Sequence, residues 1–401
     1  MTITCADCGS TQTIPVLPPR GIAECHRCDR MLDRRSWTRF DVTFFAAAGM
    51  LILLFPAMFL PFLQSTIKHL VFQESRLISS VPVIYREVWL PFALGFLFFA
   101  FVFPAIRAIL LLVVLGAIRL HKRPREIGRF FRWQQELRIW SMTEVVVVAG
   151  VLTYFRAAVP AQVSIRSGAW CYLAVAVLYW VSDWFLDRRG TWNAILPDRE
   201  APPRPGLVSC GVCEMTMDWR RSGDPCPRCG ARLDRDLTRT FPALLALFAA
   251  TIPLIPLAYS YSVIVNEQLT GVWEYTVLGT IQLLADRGQW QFGVVVLVAG
   301  VLIPFLALFA LLWLLTRIYL PSRRGLVFET RLYRLLHRLV RWPMIIPFIA
   351  AIAAPIVNYP GIDDIFAGPG ATPFFGLVVL IMLAIRIFEP RLMWREVGEA
   401  R

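Results

Sequence analysis

Long apolar runs alternate along the chain with short charged ones. A membrane-spanning helix needs roughly 20 mostly apolar residues, and eight stretches approach that length. In the first half they cover 42–63, 88–118, 139–160 and 168–185; in the second, 241–265, 291–316, 342–357 and 372–388. The second and sixth are long, and the third and seventh are the weakest. Two segments ahead of the long runs, "SSVPVIYREVW" and "YTVLGTIQLLADRGQW", alternate apolar with polar residues and read as amphipathic helices lying at a membrane surface.

The polar segments carry their own pattern. From the amino terminus, successive ones hold 6, 3, 7, 2, 10, 1, 7, 0 and 4 Lys and Arg residues, with Arg156 and Arg386 at span ends counted into the adjoining segment. High and low alternate throughout, as the positive-inside rule requires. Both ends of the chain and the segment joining its halves are therefore expected in the cytosol. A single missed span would scramble the alternation.

The halves repeat one another. "WLPFALGFLFFAFVFPAIRAILLLVVL" from Trp89 matches "WQFGVVVLVAGVLIPFLALFALLWLL" from Trp290, and "RIWSMTEVVVVA" from Arg138 matches "VRWPMIIPFIAA" from Val340. Four spans per copy make the repeats parallel. The expected organisation is a cysteine module over 1–36, four helices over 37–195, a Pro-rich linker over 196–206, a second cysteine module over 207–236 and four helices over 237–401.

Composition agrees: 57% hydrophobic, 17% charged and a mean hydropathy of +0.57 exclude an ordinary soluble globule. The net charge of +13 is explained by loop placement without invoking nucleic acid. No apolar leader precedes the first cysteines, so no signal peptide is expected.

Eight of nine cysteines fall into C-x-x-C pairs. Cys5, Cys8, Cys25 and Cys28 form one set; Cys210, Cys213, Cys226 and Cys229 form the other. Two knuckles joined by a short loop bring four thiolates to tetrahedral corners, the geometry of structural Zn²⁺. Two zinc ions per chain are expected, each folding a ribbon too small to build a core and capping the mouth of a four-helix set. Disulfides are disfavoured in a reducing cytosol, and a redox dithiol calls for one pair in a βαβ setting. Four closed ligands leave no open catalytic position. His26, inside a knuckle, reads as an exposed loop residue, and Cys171 as a small apolar side chain.

Ionisable residues inside apolar spans are functional suspects. Glu144 lies roughly 8 Å into its helix and Arg107 at most about 17 Å from the end of the preceding one, at 1.5 Å per residue. The repeat has Ala307 and Ile346 at these positions, so the two charges are kept or lost together, as a buried pair requires. Ser141, one turn before Glu144, shares its face.

The cysteine ribbons, "RTFPALLALF", "LYRLLHRLVRWPM", "RIWSMTE", "GPGATPFFGLVVLIMLAIRIFEPRLMW" and the duplication resemble the paraquat-inducible protein A family (PqiA/LetA-type proteins). The resemblance covers nearly the whole chain. It implies a polytopic α-helical protein of the bacterial inner membrane that passes lipids to or from a periplasmic MCE-domain partner. The second copy departs from the family pattern: "WPMII" lacks the acidic residue of "WSMTE", and Ala307 replaces the basic one. With no Walker A sequence and no nucleophile–base set, the expectation is a non-enzymatic transporter that draws on the proton gradient through Glu144, Arg107 and Ser141. A zinc-ribbon scaffold or stress sensor, and a membrane redox protein, are the alternatives.

Overall fold

The computed structural model describes residues 2–15, 18, 21–34, 40–67, 71–87, 90–122, 126–157, 162–197, 207–218, 224–232, 237–268, 271–320, 325–357 and 363–398. Most of the expected 196–206 linker lies outside this set.

The first ribbon is two hairpins, β1 (Thr2–Thr4) with β2 (Thr11–Thr13) and β3 (Ile22–Glu24) with β4 (Met31–Arg34). Each hairpin turn is a C-x-x-C knuckle. The first copy continues with α1 (Phe40–Phe59), strands β5 (Pro61–Ile67) and β6 (Val71–Arg76), α2 (Leu77–Glu87) and α3 (Leu90–Leu97). A π turn at Phe98–Val102 runs directly into α4 (Phe103–Arg119). Next come α5 (Ile127–Glu136), α6 (Thr143–Ala157), β7 (Gln162–Ile165), α7 (Ser167–Phe185) and α8 (Arg188–Ile195).

The second copy repeats that order. Its ribbon has β8 (Leu207–Ser209) paired with β9 (Thr216–Asp218) and a bridge between Pro225 and Arg232. Then follow α9 (Leu237–Thr251), α10 (Leu254–Ser260), β10 (Ile264–Gln268), β11 (Gly271–Tyr275), α11 (Val277–Asp286) and α12 (Trp290–Leu297). A second π turn, Val298–Leu302, leads into α13 (Ile303–Tyr319). After α14 (Leu326–Leu339) come a 3₁₀ turn at Trp342–Met344, α15 (Ile345–Val357), β12 (Asp363–Ala367), α16 (Ala371–Ile387) and α17 (Arg391–Gly398).

The chain is thus a polytopic α-helical membrane protein of two tandem repeats. All eight expected spans contain helix, but their lengths are unequal. Phe40–Phe59, Phe92–Arg119, Phe241–Ser260, Trp290–Tyr319 and Leu326–Ala353 are long and apolar enough to cross a membrane. Ser167–Phe185 joins Arg188–Ile195 through a 67° bend as a sixth, while Thr143–Phe155 and Ala371–Ile387 are shorter. The third span starts at Thr143 because Ser141 and Met142 break the helix; its counterpart continues from α14 through the 3₁₀ turn.

Away from the ribbons each copy carries a three-stranded antiparallel sheet, in the order β6-β5-β7 and β11-β10-β12. The loop before the fourth span supplies the third strand in each case, tying both interhelical loops of a copy together. These sheets were not expected from the sequence; the surface helices α2 and α11 were. The copies meet where α6 packs against α15, with Phe96 edge-on to Phe348 and Phe92 tilted against Phe375.

The ribbons do not sit where the simple repeat suggests. Each docks chiefly on the other copy's helices. Ribbon one is held by the second copy: Asp7 accepts from Arg334 at 2.8 Å, Asp29 from Arg331 at 2.6 Å, and Arg27 stacks over Trp394 at 4.7 Å. Ribbon two buries Cys210, Cys213, Met215, Cys226 and Cys229 against Leu111, Ile127, Phe131 and Trp192 of the first copy. The close approach demands Gly128, since a Cβ there would overlap the Arg228 carbonyl. Arg30 joins the ribbons by pairing with both Asp7 and Glu214, and Arg189 on α8 reaches Asp33 at 4.0 Å.

Candidate functional site

Four knuckles share one local construction. The residue after each second cysteine (Gly9, Asp29, Glu214 and Gly230) has φ between +55° and +69° and donates its N–H to the carbonyl of the first cysteine. Glycine adopts that backbone freely, whereas Asp29 and Glu214 carry strain. Both acids use the resulting direction to pair with Arg331 and Arg30.

Within each set all four Sγ atoms lie within 4.8 Å of one another and every cysteine is buried. The Cys5–Cys28, Cys8–Cys25, Cys210–Cys229 and Cys213–Cys226 sulfurs are each 3.6 Å apart. Tetrahedral thiolates about 2.3 Å from a zinc ion stand roughly 3.8 Å apart, whereas a disulfide is about 2.05 Å. All nine cysteines are free. The crowded thiols cannot all ionise alone: hydrogen bonding from Cys213 brings Cys210 down to about 7, while Cys5 drives Cys28 up to about 12. A bound cation relieves that conflict, so both sets can hold a metal ion. His26 is exposed and hydrogen-bonds Gln12, outside either set. Arg334 donates to the Cys28 carbonyl at 3.0 Å and its Sγ at 3.3 Å, the kind of outer contact that fixes a ligand's direction.

The expected Arg107–Glu144 pair does not form. Arg107 on α4 pairs instead with Asp183 on α7, which also accepts from Arg138 at 3.1 Å. Tyr179, one helical turn before Asp183, lies under the Arg107 guanidinium at 4.4 Å. Glu144, at the start of α6, pairs at 2.5 Å with Arg341 of the second copy. The physical reason is helix order. Asp183 brings α7 to the Arg107 face of α4, while α6 turns its first residues toward α15. Ser141 is buried and donates to the Leu137 carbonyl at 3.0 Å, so it closes the turn before α6 and does not bond Glu144. Thr143 approaches the Glu144 carboxylate at 3.4 Å.

Asp183 and Arg341 are the residues that sequence reasoning missed. A signal existed for Asp183: aligning Trp192, which closes "FLDRRGTW", with Trp394, which closes "FEPRLMW", sets it opposite Ile385, so it vanishes in the second copy together with Arg107. Arg341 has Ile139 at the matching place and gives no such sign. Arg107 is 3% exposed, and its Nε and Nη1 and the Tyr179 hydroxyl have no hydrogen-bond partner. Phe92–Arg119 spans about 42 Å against a hydrocarbon core of about 30 Å. Amphipathic α5 packs along α4, so the excess length has room on the ribbon side.

The π turns give each copy a second shared device. Pro104 and Pro304 cannot donate to the carbonyls four residues earlier, Ala100 and Gly300. Tyr172 from α7 donates to the first at 2.9 Å, and Tyr259 from α10 to the second at 2.6 Å. Met142 donates its backbone N–H to the Phe99 carbonyl at 3.2 Å, tying the break before α6 to the π turn. Single π turns inside α-helices frequently mark functional sites.

The family model described as paraquat-inducible protein A matches residues 41–195 and again 241–398. The chain is 25% identical to the intermembrane transport protein PqiA of Escherichia coli (strain K12), covering 99% of this chain and 96% of that protein. It is 24% identical to a probable intermembrane transport protein of Haemophilus influenzae, over 98% and 95%. It is 28% identical to the lipophilic envelope-spanning tunnel protein A of E. coli, over 67% and 63%. No solved structure matches.

Proposed function

The chain belongs to the paraquat-inducible protein A family, and on that premise we infer that it is the inner-membrane component of an intermembrane lipid transport system. It passes lipids to or from a periplasmic MCE-domain partner and carries out no covalent chemistry of its own. Two structural zinc ions hold the ribbons on the cytosolic side. The proton gradient supplies energy through the charge cluster formed by Arg107, Asp183, Glu144 and Arg341. The observation that carries this reading is the Glu144–Arg341 pair, a carboxylate and a guanidinium from opposite copies meeting at the α6–α15 seam. Protonating Glu144 removes the attraction across that seam, which gives a proton a way to shift one copy against the other. Ser141 belongs to the site as the residue that closes the turn ahead of Glu144.

Reconstitution into vesicles with a lipid acceptor tests this. Glu144→Gln keeps shape and hydrogen bonding but cannot change charge. Transport should be lost while expression and lipid binding persist. Full transport by Glu144→Gln would refute proton coupling at this residue, and absence of any lipid movement by the wild-type chain with its partner would refute the transport reading.

A further inference from the structure

One groove on the outer face lies outside the cluster just described. It has a volume of about 400 Å³ and is lined by Ile106 and Leu110 of α4, Trp133 and Glu136 of α5, Trp140, and Arg386 of α16. It therefore opens at a seam between the copies. Apart from Glu136 and Arg386 its walls are apolar, and Ile106 and Trp133 are 40% and 45% exposed, so they face the surroundings. Two tryptophans within a helical turn or two of charged residues mark headgroup depth.

The charge at the groove is unbalanced. Arg386 meets Glu136 at 3.7 Å, an ion pair too long for a hydrogen bond, and its side chain is 33% exposed. Glu136 is also 3.7 Å from Arg132, Asp183 is shared by Arg107 and Arg138, and Glu144 pairs with Arg341. Five arginines thus share three carboxylates in and beside the groove. A buried Nε of Arg341 also lacks a hydrogen-bond partner.

We propose that this groove binds an anionic phospholipid from the ribbon-side leaflet, with its phosphate on Arg386 and one acyl chain along Ile106 and Leu110. The proposal rests on the reading that the chain handles lipid and adds the headgroup charge and the place. Arg386 is the selective element. A guanidinium binds phosphate by paired, charge-assisted hydrogen bonds, and a net negative headgroup gains from the surplus arginines where a zwitterionic one does not. Glu136 competes with the phosphate for Arg386.

The test uses the full chain in nanodiscs of equal phosphatidylglycerol and phosphatidylcholine, released for native mass spectrometry in phosphate-free buffer. The expected result is preferential retention of phosphatidylglycerol. Arg386→Gln should reduce that retention roughly tenfold, the size of a lost charge-assisted hydrogen bond, and Arg386→Lys should keep most of it. Glu136→Gln should raise retention, an outcome misfolding cannot produce. Equal retention of the two lipids, unchanged retention by Arg386→Gln, reduced retention by Glu136→Gln, or full displacement by inorganic phosphate would each overturn the proposal. Lipid retention without transport in the vesicle assay would sink the transport reading and leave this site standing.

Discussion

Replacing Asp183 with Asn removes a charge and almost no volume. Arg107 is 3% exposed and Asp183 14% in their side chains, so the pair is nearly dry. Leaving one partner of such a pair alone costs about 3–5 kcal/mol. The Tyr179 face at 4.4 Å is present before and after, so it does not offset the loss. Arg138 is 46% exposed in its side chain, and its share is about 0–1 kcal/mol after screening. Asp183→Asn should therefore destabilise by about 3–5 kcal/mol, nearly all of it from stranding Arg107. Arg107→Met should cost less, about 1–2 kcal/mol, because Asp183 keeps Arg138 at 3.1 Å and some contact with water. The double substitution Arg107→Met with Asp183→Leu should recover most of the loss, since the second copy holds Ala307 and Ile385 there. Unfolding in mixed micelles titrated with dodecyl sulfate measures all three variants. A double mutant as unstable as the sum of the singles, or an Arg107→Met variant worse than Asp183→Asn, would refute the assignment.

Metal analysis should find two Zn²⁺ per chain, and Cys226→Ser with Cys229→Ser should remove one; because ribbon two rests on the first copy, proteolysis should then open sites around α5 and α8 before α14 and α17. Gly128→Ala should loosen the same contact with the metal still bound, seen as faster amide exchange in α5, and unchanged exchange would contradict the docking. Tyr172→Phe and Tyr259→Phe should each cost about 1–3 kcal/mol by leaving a proline-freed carbonyl unpaired, measured by the same titration. Single-cysteine labelling should place residues 126–136 and 326–338 on the side of the ribbons and residue 367 on the other; labelling of all three from one side would overturn the topology.

The apolar runs, the four knuckles and the duplication were legible because each depends on local spacing. The strands were not. "PFLQSTI" and "VFQESR" are short, and β7 comes from a loop about a hundred residues later, so pairing depends on which helices are neighbours. The same limit hid the partner of Arg107. Sequence separation favoured Glu144 on the next span, but α7 is the helix that delivers a carboxylate to Arg107. The repeat logic itself was sound: both members of a buried pair vanish together in the second copy, and applied to Asp183 and Ile385 it selects the right residue. The exchange of ribbons left no local trace, since Asp7 and Arg334 meet across 327 residues.

That distance has a consequence for biosynthesis. Chains grow at roughly 5–20 residues per second. After Asp7 leaves the ribosome, Arg334 therefore follows about 16–65 s later on the same scale. During that interval the first ribbon lacks its main seat on the second copy, and its two hairpins and the early contacts of Asp33 and Arg30 are all it has. The second ribbon emerges beside a finished first half and can dock at once. Assembly is ordered by this asymmetry: the amino-terminal ribbon waits as a small preformed unit, and its capture by α14 and α17 locks the two halves together after both have inserted.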